Sequence, residues 1–139
     1  MTVASDSQPP EQRQRRRRLM VIDDNKDAAE SMSMLFELWG YEVICAYDGR
    51  TALETAAKYR PHAVFLDIGL PGMDGYEFAE RLRELPESAR TVLVAITGYG
   101  QDEDRRRSRE AGIDHHLVKP VAPETLQKLL DSLAGQEPV

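Results

Sequence analysis

The run Ala63-Val64-Phe65-Leu66-Asp67-Ile68-Gly69-Leu70-Pro71-Gly72-Met73-Asp74-Gly75 joins an apolar stretch to a carboxylate and then to a Gly/Pro-rich turn. Four apolar residues in a row fit a strand buried on both faces, as in a parallel sheet covered by helices. Such a strand delivers its last side chain to the carboxyl edge of the sheet, where open α/β folds hold their ligands. Asp67 is thereby placed as a site residue, although an Asp at the start of a turn is also common for purely local reasons.

Upstream, Leu19-Met20-Val21-Ile22 is a second short apolar run ending in carboxylates, Asp23 and Asp24. Asn25 or Asp27 can cap the helix that follows. In it Ala28, Met32, Leu35, Phe36 and Trp39 recur at helical spacing, and Gly40 ends it. Tyr41 to Ala46 alternates weakly and suits an outer strand. Asp48-Gly49 turns the chain into a helix carrying Ala52, Leu53, Ala56 and Ala57, which stops before Pro61.

Downstream of Asp67, a helix carries Tyr76, Phe78, Ala79, Leu82 and Leu85. Thr91 to Ile96 reads as another buried strand that delivers Thr97. Gln101 to Ala111 is almost wholly polar, so as a helix it should be the least firmly packed. His116-Leu117-Val118 is a last short strand delivering Lys119, followed by Pro120. Pro123 opens a closing helix with a core stripe of Leu126, Leu129, Leu130 and Leu133. Strands thus alternate with helices throughout, which calls for an α/β fold: a parallel sheet with helices on both faces and right-handed crossovers.

The chain has 139 residues, suited to one domain with its own core. No apolar run approaches a membrane span, no secretory signal is visible, and the single Cys45, in an apolar run, reads as a buried filler. Net charge is −6, but residues 1–18 hold five Arg against two acids, leaving a body of −9. Residues 1–18 read as a disordered tail or linker, 19–134 as the folded domain and 135–139 as a C-terminal tail. The Arg run is a candidate contact for nucleic acid or anionic lipid, and equally a solvated flank. The acidic body argues against a broad nucleic-acid surface.

Four strands end in residues with chemistry: Asp23/Asp24, Asp67, Thr97 and Lys119. In a parallel sheet these ends share one edge. Two carboxylates about 4 Å apart repel by about 1 kcal/mol in water and about 4 kcal/mol at an intermediate effective dielectric. Three in one cleft need compensation, which a hard divalent cation such as Mg²⁺ supplies. Lys119 offers a mobile cation for a phosphoryl oxygen, and Thr97 a neutral hydroxyl donor. The set suits phosphoryl transfer onto Asp67.

Ile22-Asp23-Asp24-Asn25, Leu66 to Gly75, Ile96-Thr97-Gly98 and Val118-Lys119-Pro120 resemble, in order and spacing over roughly residues 18–134, the receiver domain of bacterial two-component response regulators. The resemblance implies a flavodoxin-like (βα)5 fold, doubly wound with strand order 2-1-3-4-5, and phosphorylation of Asp67 by a phosphohistidine. It implies Mg²⁺ (or Mn²⁺) held by Asp24, Asp67 and the Gly69 carbonyl, with Asp23 acting through water. Lys119 would bind the phosphoryl group, and Lys119–Pro120 would be cis.

The same resemblance implies a switch. Phosphorylation draws Thr97 inward, and an aromatic residue three before the Lys rotates into the vacated space. Here that position is His116, smaller and titratable, which either fills the aromatic slot or makes the switch weaker, pH-sensitive or differently coupled. His62 and His115 look incidental. Gly69 and Tyr99 flank the entry of a hydrolytic water, and their pairing predicts slow self-dephosphorylation.

The implied partners are a histidine kinase or histidine phosphotransfer protein and a downstream protein on the fourth-helix face, around Tyr99 and Arg105 to Arg109. No nucleic-acid or membrane contact is expected of this domain, which should be cytoplasmic and a monomer or weak dimer. A free-standing regulator and the terminal receiver of a hybrid histidine kinase are both compatible, and the Arg-rich linker and the Leu70-Pro71 loop lean to the latter. A haloacid-dehalogenase-like phosphatase is disfavoured because its second Asp would fall at Gly69. A DNA-binding effector is not expected after residue 134. The remaining alternative is a degenerate receiver acting as a phosphorylation-independent binding module.

Overall fold

In a computed structural model the backbone is described for residues 17–98 and 102–136, and the side chains for 17–98 and 106–133. Five strands and five helices alternate: β1 (Arg18–Ile22), α1 (Lys26–Leu38), β2 (Glu42–Ala46), α2 (Gly49–Tyr59), β3 (Ala63–Asp67), α3 (Gly75–Arg83), β4 (Val92–Thr97), α4 (Asp102–Glu110), β5 (His115–Val118) and α5 (Pro123–Gln136). The sheet is parallel with order β2-β1-β3-β4-β5, the flavodoxin-like arrangement expected.

The two-residue period of the strands divides the core into two layers. Met20, Ile22, Val64, Leu66, Leu93 and Ala95 pack with Ala52 and Ala56 of α2 and Phe78, Ala79 and Leu82 of α3. On the other face Leu19, Val21, Phe65, Val94 and Ile96 meet Ala29 and Phe36 of α1 and Leu126, Leu130 and Leu133 of α5. The central strands β1, β3 and β4 are therefore apolar at successive positions, because both their faces are covered.

Of the two residues expected to cap α1, Asn25 does so, and α2 and α3 start in the same way. Asn25, Asp48 and Asp74 accept hydrogen bonds from the backbone N–H of Ala28, Thr51 and Glu77. Gly40, at φ +95°, releases the chain from α1.

Some boundaries and faces differ from expectation. In α1 the buried alanine is Ala29, and Ala28 is exposed, while Met32, Leu35, Phe36 and Trp39 pack on the expected face. Strand β1 begins at Arg18, one residue into the expected tail, because its N–H donates to His62 Nδ1 and its guanidinium to the Tyr59 and Arg60 carbonyls. Strand β5 begins at His115, and α5 runs to Gln136, two residues past the expected end of the domain at 134. A 3-10 turn at Pro86–Ser88 was not foreseen. Cys45 is half-buried with its Sγ 3.6 Å from the Ala29 carbonyl, and burial pushes its thiol pKa up.

Candidate functional site

The carboxyl edge of β1, β3, β4 and β5 gathers the side chains singled out in the sequence. Asp23 follows β1 directly and is buried; its N–H bonds the Ala46 carbonyl, and its Oδ1 accepts from Asn25 N–H at 3.0 Å. Asp67 is the last residue of β3, with Oδ1 accepting from Gly69 N–H at 2.9 Å. That bond curls the loop so that Gly69 turns back beside the carboxylate. Asp23, Asp24 and Asp67 each offer a carboxylate oxygen, all within 4.8 Å of one another.

Lys119 follows β5, and its N–H bonds the Thr97 carbonyl at 2.7 Å. The Lys119–Pro120 bond is cis, as expected. Lys119 Nζ lies 3.6 Å from Asp67 Oδ2 and 4.0 Å from Asp23 Oδ2. Two carboxylates of the cluster thus lie within 4.0 Å of one ammonium. Burial raises the Asp23 pKa above its ordinary value; the Asn25 N–H lowers it, the Asp67 charge raises it and the Lys119 charge lowers it. A small cavity of about 110 Å³ between Asp23, Asp67 and Lys119 is floored by Phe65 and Met32. The donor set is all hard oxygen with excess negative charge and fits a divalent cation of the Mg²⁺ type. Asp23, Asp24, Asp67 and the Gly69 carbonyl are the groups that could hold it.

Thr97 ends β4 and is buried on the same sheet face as Leu93 and Ala95. His116 pairs with Ala95 across β4 and β5, which places it toward that face. Its Nδ1 is 3.2 Å from Ser108 Oγ, and Ser108 is buried on α4. His116 is therefore adjacent to α4, and it is half-buried there.

The sequence reading missed how α4 is fastened. Asp74, which caps α3, also lies 3.6 Å from Arg107 of α4, and that guanidinium sits 4.2 Å over the Tyr76 ring. The turn after Asp67 and the α4 face are thus linked by charge and stacking. An Asp-Gly helix start opposite an Arg-rich helix was the only sequence trace of this. Tyr99, residues 1–16, residues 137–139 and the Arg105 side chain lie outside the described residues.

Residues 19–131 match the family model described as response regulator receiver domain. The chain is 32% identical over 108 residues to an uncharacterised 14.6 kDa protein of Leptolyngbya boryana, covering 78% of this chain and 82% of that one. It is 36% identical over 104 residues to the response regulator MprA of Mycolicibacterium vanbaalenii, covering 75% of this chain but spanning only 44% of that relative. Among solved structures, the chemotaxis protein CheY4 of Vibrio cholerae superposes with TM-score 0.81 at 31% identity, over 85% of this chain and 98% of that one. The receiver domain of a Pseudomonas aeruginosa sensor histidine kinase, with magnesium coordinated in its active-site cleft, gives TM-score 0.80 at 26% identity, over 87% and 99%. Sequence match, fold and strand order agree, and the chain belongs to the response regulator receiver domain family of two-component signalling.

Proposed function

We propose that this receiver accepts a phosphoryl group on Asp67 from the phosphohistidine of a histidine kinase or histidine phosphotransfer protein, in the cytoplasm. The observation that carries the reading is the placement of Lys119 Nζ between Asp67 and Asp23 at one end of a shallow cavity. An Asp67 carboxylate oxygen attacks phosphorus in line, the P–N bond breaks, and its electron pair returns to the imidazole nitrogen. Asp67 then carries an acyl phosphate. The transferring group gains no net electrons, so no redox partner is needed.

The chain's own residues supply most of what the step requires. Lys119 neutralises a phosphoryl oxygen, moving from its present carboxylate partners, and the Thr97 hydroxyl donates to another. Asp23, Asp24, Asp67 and the Gly69 carbonyl would hold Mg²⁺ or Mn²⁺, which supplies charge neutralisation on the phosphoryl oxygens. The magnesium in the cleft of the Pseudomonas relative supports that assignment. Repositioning of Thr97 and His116 would then reach α4 through Ser108 and alter the face offered to a downstream protein. Slow loss of the phosphoryl group follows from Gly69, which has no side chain to guide water, with Tyr99 argued from sequence alone.

Intact mass after incubation with a small acyl-phosphate donor tests this. A single phosphoryl adduct is expected with Mg²⁺ and not without it, and Asp67→Asn should abolish it. Wild-type protein that binds Mg²⁺ yet acquires no adduct would overturn the reading in favour of a constitutive binding module.

A further inference from the structure

A second cavity lies at the other end of the sheet, away from Asp67. It measures about 630 Å³ and opens at the amino edge, where β1, β3 and β4 begin. Its floor is aliphatic: Leu19 of β1 and Leu130 and Leu133 of α5. Its rim is cationic. Arg17, Arg60 and Arg90 line it, against the single carboxylate of Glu87. Among the described residues, neither Arg60 nor Arg90 has an ion-pair partner, and both are exposed. The sequence just before Arg17 adds Arg13, Arg15 and Arg16. This concentration of positive charge stands on a body whose net charge is −9, so bulk composition does not account for it.

We propose that this cavity is a docking site for an acidic segment of a partner protein that carries an aliphatic anchor. Register fixes the layout of the rim. Leu19 pairs with Ala63 and Ala63 with Val92, so Arg17 and Arg90 stand two residues before equivalent positions on strands two places apart, with Arg60 between them. Two strand spacings make the row about 10 Å long. That length exceeds one small anion and suits carboxylates at alternating positions of an extended segment, which recur about every 7 Å. Guanidinium forks favour carboxylates in a planar geometry, and the Leu130 and Leu133 floor takes the apolar side chain between them. Nucleic acid shares the charge requirement but stacks its bases on aromatic rings. Among the described residues lining the cavity the one aromatic ring is the His62 imidazole, and its Nδ1 already accepts from the Arg18 N–H. Because β1, β3 and β4 run from this cavity to Asp23, Asp67 and Thr97, an occupant here leaves the carboxyl edge open to a phosphodonor.

The test uses the full 139-residue chain, isotopically labelled, and a six-residue probe peptide of alternating glutamate and leucine. Saturable amide shifts are expected at 17–19, 60, 62, 63 and 90–92, with the resonances of Asp23 and Asp67 unmoved. Arg60→Glu combined with Arg90→Glu should weaken binding at least about tenfold, two exposed charge contacts being lost and reversed. An unchanged melting temperature would show that the variant folds. Replacing leucine by serine, or glutamate by glutamine, in the probe should also abolish saturation. Absence of saturable shifts, binding indifferent to the double reversal, or tighter binding of a thymidine oligonucleotide at the same amides would each overturn the proposal.

Discussion

Lys119 Nζ stands 3.6 Å from Asp67 Oδ2, so the ammonium of the site is paired with the carboxylate proposed to receive the phosphoryl group. The pairing makes Lys119 a resident competitor for any cation in the acidic cleft. Lys119→Met should therefore bind Mg²⁺ more tightly while accepting phosphate more slowly. The full Coulomb energy at this distance is about 5 kcal/mol at an effective dielectric of about 20, but the side chain is 46% exposed and solvent screening leaves about 1 kcal/mol. Calorimetric titration should show about a fivefold gain in Mg²⁺ affinity. Phosphorylation rate should fall by about 10²-fold, the scale for losing one charge-stabilising donor. Equal loss of both would mean that Lys119 acts only by holding the fold.

Asp23 gives a pH prediction. Burial, and next the Asn25 N–H acting oppositely and the Asp67 charge, leave its carboxyl above the ordinary 3.8. The folded state thus holds this proton more tightly than the unfolded state. The associated stability is complete below about pH 3.8 and is lost as pH rises through the raised folded value. At neutral pH, without divalent cations, Asp23→Asn should melt a few degrees higher than wild type, the shift that about 1 kcal/mol produces in a domain of this size. The gap should close in acid, and Mg²⁺ should narrow it by stabilising the wild type more than the variant. Thermal melts across pH, with and without Mg²⁺, check each arm.

The site was legible because a parallel sheet converts one-dimensional order into position. Asp23, Asp67, Thr97 and Lys119 each follow an apolar run, and the topology leaves their strand ends no other edge to occupy. What the sequence did not disclose depends on contacts between residues far apart with no shared period. Arg107 and Asp74 are 33 positions apart, and an arginine on a helix without apolar residues reads as solvated until Tyr76 and Asp74 are seen beneath it. One position of α1 was misassigned for a different reason: Ala28 and Ala29 are chemically identical, and only packing against the sheet distinguishes them. The amino-edge cavity was hidden because Arg60, Arg90 and Leu130 meet only when three strands and α5 are assembled.

Arg83 is a second residue whose role lies in such contacts. Its guanidinium donates to the carbonyls of Gly112, Ser88, Ala89 and Thr91 and pairs with Asp114 at 2.8 Å. It thereby pins the end of α3, the entry to β4 and the turn before β5. Asp114 also accepts from Leu93 N–H, extending the network into β4. Arg83→Ala should cost about 2–3 kcal/mol, because several carbonyls lose a charged donor at once. Arg83→Lys should recover only part, since an ammonium cannot reproduce the planar fork. Urea denaturation should show a lower midpoint with an unchanged slope for both variants. A loss below 0.5 kcal/mol, within the ordinary surface range, would mean water replaces the clamp.

Gly75 and Gly69 make opposite predictions from the same loop. A Cβ at Gly75 would lie 2.7 Å from Ile68 Cα and 2.8 Å from Ile68 Cδ1. The first of these is backbone and cannot swing aside. Gly75 N–H also donates to the Ile68 carbonyl, so the two residues are locked together. Ile68 sits between Asp67 and Gly69, and displacing it disturbs the hydrogen bond that orients the Asp67 carboxylate. At Gly69 a Cβ would meet only Asp67 Oδ1 at 3.6 Å, an ordinary contact. Helix propensity alone would make Gly75→Ala stabilising by up to about 1 kcal/mol, since Gly75 opens α3. The close approach reverses that sign: Gly75→Ala should destabilise by about 1–3 kcal/mol, the usual cost of overpacking, and slow phosphorylation of the folded protein. Gly69→Ala should leave stability within about 0.5 kcal/mol of wild type. Denaturation midpoints of the two variants, measured side by side with phosphorylation rates, decide the matter, and a stabilised Gly75→Ala would show that the loop yields at no cost.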